Sequence, residues 1–313
     1  AHTSAGHVPV LVTPGRPGLN LVYVAGSDAV PVGSDPGHAL PAAERPGAGG
    51  RWATVDLPPG VSRLWISGTP VDVDTGHGPR STPVFTGPDG PECASAALGA
   101  VLAGSRQALT GCPADALAPA DAETLRALMK QLAGRGVPEV RVEADASARS
   151  AAALSVLRDA AREAGLTITG TPARDGALIV VSGWAAATST LRAVATRQLT
   201  EVLYSTGTYL APWLLSAPVL RSTNGTVLAL RFDPRDEPAV RYQVAVEAAF
   251  HGSAPTESGY HAWLTAQNSP EPRETRLYAA SAVAFLPQEF AHHTHETGWL
   301  PGGTIVPVTG PLT

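Results

Sequence analysis

The segment Asp175-Gly-Ala-Leu-Ile-Val-Val-Ser-Gly-Trp184 decides the fold of the larger part of the chain. Its residues from Ala177 to Val181 are all apolar, and no polar side chain alternates with them. A short run of this kind is typical of a strand buried on both faces, as in a parallel sheet covered by helices. The segment therefore predicts an α/β domain around itself.

Helices and strands alternate on both sides of this central run. Apolar residues recur at helical spacing, and short apolar runs lie between the helical stretches. We predict, in chain order, a helix over 121–133, a strand over 137–142, a helix over 147–164, a strand over 166–169, a helix over 185–196, a strand over 201–204 and a short helix over 209–215. This alternation is typical of a parallel, doubly wound sheet.

The first 90 residues have a different character. The chain contains 32 Gly and 29 Pro among its 313 residues, and this first part is dense in both. Apolar runs at 8–12, 19–25, 51–57 and 62–68 are separated by Pro and Gly turns, which predicts a small antiparallel β-sandwich. We therefore predict two domains, an all-β sandwich with its linker over 1–90 and an α/β domain over 91–313.

The α/β part resembles a known family over about 120–270. The resemblance rests on Val140-Arg-Val-Glu-Ala-Asp-Ala-Ser147, Ala161-Arg-Glu-Ala-Gly-Leu-Thr-Ile168, the segment 175–183, and the stretch from Phe232 to Trp263 with its Tyr242, Phe250 and Tyr260. These resemble type I periplasmic solute-binding proteins of the Leu/Ile/Val-binding kind. The resemblance implies an exported protein with a small-molecule ligand and a membrane transporter as partner. Family members have two similar lobes, so a domain over 91–313 is expected to be shortened.

The first part carries a second resemblance. The stretch His7-Val-Pro-Val-Leu-Val-Thr-Pro-Gly-Arg-Pro-Gly-Leu-Asn-Leu-Val-Tyr-Val24 is followed by Gly50-Arg-Trp52 and by Leu57-Pro-Pro-Gly60. Together they resemble the small β-sandwich of copper-transport proteins of the CopC/CopD type, which implies copper handling. Methionine-rich copper ligation is absent from this part, because the single methionine of the chain, Met129, lies elsewhere.

Three loops are predicted to follow strands of the parallel sheet, where α/β proteins bind their ligands. They contain the candidate ligand-binding residues Ser147, Ser182, Trp184, Thr206 and Tyr209. Hydroxyls and amides at helix starts would hold a carboxylate, and the aromatic rings would stack on an apolar group. The alternative is that the hydroxyls are ordinary helix caps and that Trp184 packs on a neighbour.

Histidines provide the candidate metal ligands. The tail holds His292, His293 and His295 close together, and neutral imidazoles suit copper, nickel or zinc. His2, with the amine of Ala1, is a further candidate for Cu(II). The alternatives are a solvated histidine-rich loop and a frayed terminus.

Cys93 and Cys112 are the two cysteines, and they either form one disulfide or remain buried thiols. We favour the disulfide, which indicates an oxidising compartment. The abrupt start at Ala1-His2-Thr3 is expected of a mature end after signal cleavage. The longest apolar stretch, Tyr209 to Leu220, is too short to span a bilayer. With its single lysine, Lys130, the composition is typical of a GC-rich, actinobacterial genome.

Charge and motifs exclude several functions. The chain has 22 Lys and Arg against 27 Asp and Glu, a net charge of −5, and no clustered basic face that would indicate nucleic-acid binding. No catalytic motif of a known hydrolase or nucleotide-binding enzyme is present. We therefore expect an exported, non-catalytic binding protein for a small, amino-acid-like molecule or a metal. The alternative is a structural protein that self-assembles into a homo-oligomer.

Overall fold

The computed structural model describes residues 2–3, 6–26, 28–105, 107, 109, 111–282 and 298–312. The strands are β1 His2–Thr3, β2 Gly6–His7, β3 Val10–Thr13, β4 Gly18–Val24, β5 Pro31–Gly33, β6 Leu40–Pro41, β7 Arg51–Leu57, β8 Val61–Ile66, β9 Thr69–Asp74, β10 Glu139–Glu143, β11 Thr167–Thr169, β12 Ala177–Val180, β13 Thr208–Leu210, β14 Gly225–Leu230, β15 Arg276–Ser281 and β16 Thr304–Pro307. The helices are α1 Gly90–Leu102, α2 Pro119–Gly134, α3 Ala148–Ala164, α4 Trp184–Arg197, α5 Ala217–Leu220, α6 Glu237–Ala249 and α7 Glu257–Ala266.

Two antiparallel sheets form the first part of the chain. Their strand orders are β3–β4–β7 and β6–β5–β8–β9. Alternate residues of β4 and β7 join residues of β5 and β8 in one buried cluster, which includes Val22, Val55, Leu57, Leu64 and Ile66. Because each strand places every second side chain on this inner face, the cluster holds the two sheets together. The antiparallel β architecture expected for this part is therefore present.

A seven-stranded sheet forms the centre of the second part, in the order β11–β10–β12–β13–β14–β15–β16. The first five strands in this order are parallel, and β15 and β16 run antiparallel to their neighbours. All four residues of β12 are fully buried. The apolar run from Ala177 is thus the middle of a doubly covered α/β sheet, as its sequence predicts.

Three predicted helices are confirmed as α2, α3 and α4. Ser147 begins α3 by accepting a hydrogen bond from the backbone nitrogen of Ser150. Gly165 ends it in the left-handed conformation, with a φ of 69°. These are the ordinary start and stop signals of a helix, and both are legible in the sequence.

The region 201–215 differs from its prediction. No strand lies at 201–204; instead the chain turns there, and β13 follows at Thr208–Leu210, paired with β12. The predicted helix over 209–215 is in fact β13 followed by one 3₁₀ turn, Pro212–Leu214. A short apolar run does not distinguish strand from helix by its period, and pairing with β12 selects the strand. Pro212 cannot donate to a ladder, which ends β13.

The β-sandwich packs against α1, at the carboxyl edge of the large sheet. Leu21, Tyr23 and Trp52 from the sandwich form a buried cluster with Ala94 and Leu98 of α1 and with Phe250. The hydroxyl of Ser216, which follows β13, donates to the carbonyl of Gly47 in the sandwich at 3.1 Å. Within the described ranges the chain has one α/β sheet, and the sandwich and α1 lie at its carboxyl edge.

Among the described residues, no helix combines the length and the apolar composition that crossing a bilayer requires.

Candidate functional site

Two of the predicted loops meet at the carboxyl edge of the sheet. The loop after β10 contains Asp145, whose carboxylate accepts hydrogen bonds from the backbone nitrogen of Gly183 at 2.6 Å and from that of Ser147 at 2.9 Å. Burial opposes the charge of Asp145, but hydrogen bonds from Ser147, Gly183 and Ser150 outweigh it and lower the pKa of Asp145. One carboxylate therefore joins the loop after β10 to the loop after β12.

The three predicted residues in these loops have structural partners. Ser147 caps α3, and its hydroxyl lies 3.0 Å from the hydroxyl of Ser150. Trp184 is buried, and its indole nitrogen donates to the carbonyl of Trp213 at 2.7 Å. The carbonyl of Ser182 accepts from the indole of Trp213 at 3.0 Å, while its buried hydroxyl has no hydrogen-bond partner among the described residues. The helix cap and the two indole hydrogen bonds therefore stabilise the loops at the carboxyl edge of the sheet.

Thr206 and Tyr209 do not lie in a loop that follows a strand, so their predicted place beside the other three residues is wrong. Thr206 precedes β13, at the opposite edge of the sheet, and Tyr209 is the middle residue of β13. The hydroxyl of Tyr209 donates to the carbonyl of Thr206 at 3.0 Å and accepts from Arg135, which leads into β10, at 3.1 Å. This error follows from the strand predicted at 201–204. If that strand existed, residues 205–209 would follow it and would lie at the carboxyl edge of the sheet.

Of the four predicted metal ligands, only His2 lies among the described residues. His292, His293 and His295 lie outside the described residues. His2 belongs to β1, where its backbone pairs with that of His7 in β2. Among the residues that the structure describes, no group of three His, Cys, Asp or Glu side chains is arranged to hold a metal ion.

A buried ion pair stands at the carboxyl edge beside these loops. Glu92 of α1 and Arg149 of α3 are joined by two bonds of 2.5 and 2.6 Å, and both side chains are almost fully buried. Ser258 donates to the same Glu92 carboxylate at 2.8 Å, and the guanidinium lies 4.6 Å from the ring centre of Trp213. Burial opposes the charge of Arg149, but Glu92 outweighs it and raises the pKa of Arg149.

This ion pair forms the floor of a groove of about 1050 Å³ that runs between α1, α7 and the start of α2. We call it the α1–α7 groove. Its walls contain many small side chains, namely Ala96, Ala100, Ala103, Ala116, Ala118, Ala120, Ala262 and Ala266. Cys112 also lines it and is bonded to Cys93, with 4.9 Å between the Cα atoms, so the predicted disulfide is confirmed.

The α1–α7 groove carries more negative than positive groups. Glu92, Asp121, Glu257 and Glu271 line it, against Arg149 and His261. His261 bonds to Glu257 at 2.9 Å and to Glu271 at 3.3 Å. Burial works against a charge on His261, but these two carboxylates prevail and raise its pKa well above the ordinary value. Burial, reinforced by the Glu257 carboxylate, raises the pKa of Asp121 to about 7.

Sequence reasoning missed the acidic residues of this groove. Glu92, Asp121 and Glu257 come from the starts of α1, α2 and α7, which are far apart in the chain, and Glu271 follows α7. In the sequence, Asp121 is only the first residue of a predicted helix, and Glu257 only one residue of the stretch from Phe232 to Trp263. No local pattern indicates that these helix starts converge on Arg149.

Among known proteins, this chain has similarity to solved structures and to no family model or curated protein. No protein-family model matches it, and no curated protein matches it. Thirty-eight chains of solved structures match. All of those compared in detail have low identity and partial coverage.

Three of these structures are solute-binding proteins. An ABC transporter solute-binding protein from R. palustris in complex with benzoate has 11% identity, a TM-score of 0.44, and coverage of 62% of this chain and 63% of its own. A branched-chain amino-acid ABC transporter periplasmic ligand-binding protein from Burkholderia xenovorans LB400 has 13% identity, a TM-score of 0.41, and coverage of 61% and 63%. An ABC transporter substrate-binding protein from Desulfitobacterium hafniense in complex with Leu has 12% identity, a TM-score of 0.35, and coverage of 51% and 62%. This chain therefore spans less than two thirds of each of these periplasmic-type structural neighbours.

Proposed function

We propose that this chain is a non-catalytic binding protein, and that its α1–α7 groove holds a small, amino-acid-like molecule through a cationic amine. The observation that carries the proposal is the groove itself. Four carboxylates line it against two cationic side chains, over walls built largely from alanine. A ligand pocket with apolar walls and a few convergent polar groups is the usual form of a small-molecule site.

The pairing inside the α1–α7 groove indicates which part of a ligand it suits. Both oxygens of Glu92 and both terminal nitrogens of Arg149 bond to each other, so this pair is already satisfied. Asp121 and the half-exposed Glu271 line the same groove, and a ring nitrogen of His261 lies 3.3 Å from the Glu271 carboxylate. An ammonium group gains charge-assisted hydrogen bonds from such carboxylates, whereas an anionic group meets repulsion.

Export and a transporter partner complete the proposal. A structural disulfide persists in oxidising compartments, and this chain has one between Cys93 and Cys112, of which Cys112 lines the α1–α7 groove. We propose that the protein acts outside the cytoplasm and delivers its ligand to a membrane transporter or sensor. A pull-down of membrane proteins with the amine-loaded and amine-free chain tests this partner.

Calorimetric titration with L-lysine, butane-1,4-diamine and butanoate tests the ligand class. Both amines are expected to bind more tightly at about pH 8 than at about pH 6, because the carboxyl of Asp121 ionises near 7. Asp121→Asn is expected to weaken binding about tenfold at the higher pH and to remove the difference between the two pH values.

Asp159→Asn is the matched control, because Asp159 lies on an exposed face of α3, where it pairs with Arg162. It is expected to leave both affinities unchanged. The proposal fails if neither amine produces heat at either pH, or if butanoate binds the α1–α7 groove as well as the amines do.

A structural or self-assembling protein is the second candidate function. It is favoured by the single α/β sheet among the described residues, because one sheet offers no second lobe to close over a ligand. Light scattering at high protein concentration tests it. A strict monomer at every concentration would exclude self-assembly.

Copper binding at the start of the chain is proposed separately. It is supported by the antiparallel register that pairs the backbone of His2 with that of His7. Cu(II) titration followed by absorption spectroscopy tests it, with a His2→Ala and His7→Ala double variant expected to lose the signal. An unchanged signal in the double variant would move the site elsewhere.

A further inference from the structure

A second cavity lies on the other side of α1, in the seam between the β-sandwich and the α/β part. It has a volume of about 70 Å³, and we call it the seam chamber. Four aromatic side chains line it, Tyr23 and Trp52 from the sandwich and Trp184 and Tyr242 from the α/β part. The α1–α7 groove shares none of these residues, so the two cavities are distinct.

The polar groups of these four aromatic side chains already have partners. The hydroxyl of Tyr23 lies 2.5 Å from that of Ser253, and the indole nitrogen of Trp52 donates to the carbonyl of Gly49 at 2.9 Å. The indole nitrogen of Trp184 donates to Trp213, as described above. The hydroxyl of Tyr242 is hydrogen-bonded to Thr256.

Other polar groups around the seam chamber are also paired. Ser95 and Thr256 share a hydrogen bond between their hydroxyls, and Ser216 donates to the carbonyl of Gly47. The aromatic rings therefore offer the chamber their apolar faces. A cavity of this kind accepts an apolar group without leaving a buried polar group unpaired.

A basic mouth lies beside the seam chamber. This wider cleft of about 560 Å³ shares Tyr23, Ala48, Gly49 and Pro218 with the chamber. Its lining contains four arginines and one acidic residue, namely Arg45, Arg51, Arg192, Arg221 and Glu44. We call it the basic mouth. The whole chain has a net charge of −5, so this local excess of positive charge stands out.

The arginines of the basic mouth are held in place by different contacts. Arg45 donates to the carbonyls of Thr86 and Gly87 at 3.0 and 2.8 Å, and burial lowers its pKa. Arg51 pairs with the exposed Glu44 at 3.1 Å, and Arg221 donates one terminal nitrogen to the carbonyl of Pro301 at 2.6 Å. A carbonyl oxygen carries no net charge, so the hydrogen bonds of Arg45 and Arg221 leave their positive charges uncompensated. The basic mouth therefore attracts an anion.

From this juxtaposition we infer a second binding site, for a small carboxylate with a short apolar tail. The tail lies in the seam chamber among Tyr23, Trp52 and Trp184, and the carboxylate lies in the basic mouth near Arg192 and Arg221. A chamber of 70 Å³ has room for a tail of roughly five heavy atoms, at about 10–15 Å³ for each water-sized group. This ligand has the opposite charge to the amine proposed for the α1–α7 groove. The two sites are separate because they share no lining residue.

Pentanoate is the probe for this site, with acetate and pentan-1-amine as matched comparisons. Titration is followed by calorimetry and by tryptophan fluorescence, because Trp52 and Trp184 line the chamber. Pentanoate is expected to bind at least about tenfold more tightly than acetate, since three additional methylene groups become buried. Pentan-1-amine, titrated into the Asp121→Asn variant because that change weakens amine binding in the α1–α7 groove, is expected to bind at least about tenfold more weakly than pentanoate.

Two variants test separately the contacts of the ligand's apolar tail and those of its carboxylate. Ala254→Leu adds a larger side chain to the lining of the seam chamber and is expected to weaken pentanoate about tenfold without affecting the weak acetate signal. The double variant Arg192→Gln and Arg221→Gln is expected to weaken both carboxylates several-fold and to reduce their salt dependence. Arg126→Gln, on an exposed part of α2, is the matched control and should change neither affinity.

Circular dichroism and thermal unfolding of each variant establish that it is folded. The inference is overturned if pentanoate does not bind, if acetate equals it, or if pentan-1-amine binds the Asp121→Asn chain as tightly. It is also overturned if folded Ala254→Leu and the double arginine variant both bind pentanoate with the original affinity.

Discussion

At the scale of single residues, the Glu92–Arg149 pair places two buried charges in the lining of the α1–α7 groove. Glu92 lies on α1, which separates the α1–α7 groove from the seam chamber, and Arg149 lies at the start of α3. The pair is enclosed by Trp213 and Ser258. Two desolvated charges are tolerated there because each satisfies the other with bidentate geometry.

Arg149→Met is expected to destabilise the fold by about 3–5 kcal/mol, because it leaves Glu92 as an uncompensated buried charge. Urea unfolding measures this loss. The double change Glu92→Leu and Arg149→Met is expected to regain most of it, since no charge then remains buried. Arg162→Met breaks an exposed pair with Asp159 and should cost at most about 1 kcal/mol. Equal losses for Arg149→Met and Arg162→Met would contradict this account.

His261 is expected to make stability depend on pH. Three of the four carboxyl groups of the α1–α7 groove interact with it: Glu257 on its own helix, Glu271 after that helix, and Asp121 at the start of α2. Because the pKa of His261 is raised well above 6.5, its stabilising contribution is complete below about pH 6.5 and is lost as the pH rises through the folded value. Urea unfolding at about pH 5.5 and about pH 9 compares the unsubstituted chain with His261→Gln.

The unsubstituted chain should exceed His261→Gln in stability at the lower pH, and the difference should shrink at the higher pH. His38→Gln is the control, because the side chain of His38 is 90% exposed. A difference between the unsubstituted chain and His261→Gln that grows with pH would show that the sign is wrong.

At the scale of elements, the crossing of α1 and α7 determines the shape of the α1–α7 groove. A Cβ atom added at Gly99 of α1 would lie 1.9 Å from the carbonyl oxygen of Gly259 in α7, which is far inside contact distance. A Cβ at Gly259 would in turn meet the hydroxyl of Tyr242 at 2.1 Å. The two helices therefore approach closely because both positions lack side chains.

Gly99→Ala is expected to destabilise the fold by more than about 2 kcal/mol, because the atom in its way belongs to the backbone and cannot rotate aside. Amine binding in the α1–α7 groove should weaken with it, since the helices must separate. Gly134→Ala is the matched control: nothing lies within 4 Å of its added Cβ, and it is expected to stabilise α2 by about 0.5–1 kcal/mol. Urea unfolding measures the free energy of unfolding of both variants. If Gly99→Ala left this free energy unchanged, the close crossing of α1 and α7 would be contradicted.

At the scale of the whole molecule, the seam joins the two parts of the chain. The rings of Tyr23 and Trp52 lie 4.7 Å apart, and Tyr23 stacks on Phe250 with 5.9 Å between ring centres. Leu21, Ala94 and Leu98 complete the buried cluster. Large aromatic surface in the seam couples the stability of the β-sandwich to that of the α/β part.

Scanning calorimetry of the whole chain is therefore expected to show one cooperative transition. Phe250→Ala removes seam surface from the α/β side without touching the sandwich core, and it is expected to separate the transition into two. Val101→Ala, at a half-exposed position of α1, is the control and should keep one transition. Two transitions in the unsubstituted chain would show that the seam is too weak to couple the parts.

The two candidate sites differ in how far the sequence predicts them. Ser147 and Trp184 were predicted at the carboxyl edge because they follow apolar strand segments, and both lie there. Thr206 and Tyr209 were misplaced because a short apolar run does not show where a strand begins. The acidic groups of the α1–α7 groove and the arginines of the basic mouth were not predicted, since each set comes from segments far apart in the chain.

The sequence by itself determined the alternation of strands and helices, the burial of the segment from Ala177, and the antiparallel character of the first part. These follow from local period, turn residues and helix caps, which act over a few residues. Only the tertiary structure decided that α1 stands over the carboxyl edge, with an acidic groove on one side and an apolar chamber with a basic mouth on the other. Local patterns do not encode such neighbours, because contacts such as Glu92–Arg149 arise only when packing brings distant helix starts together.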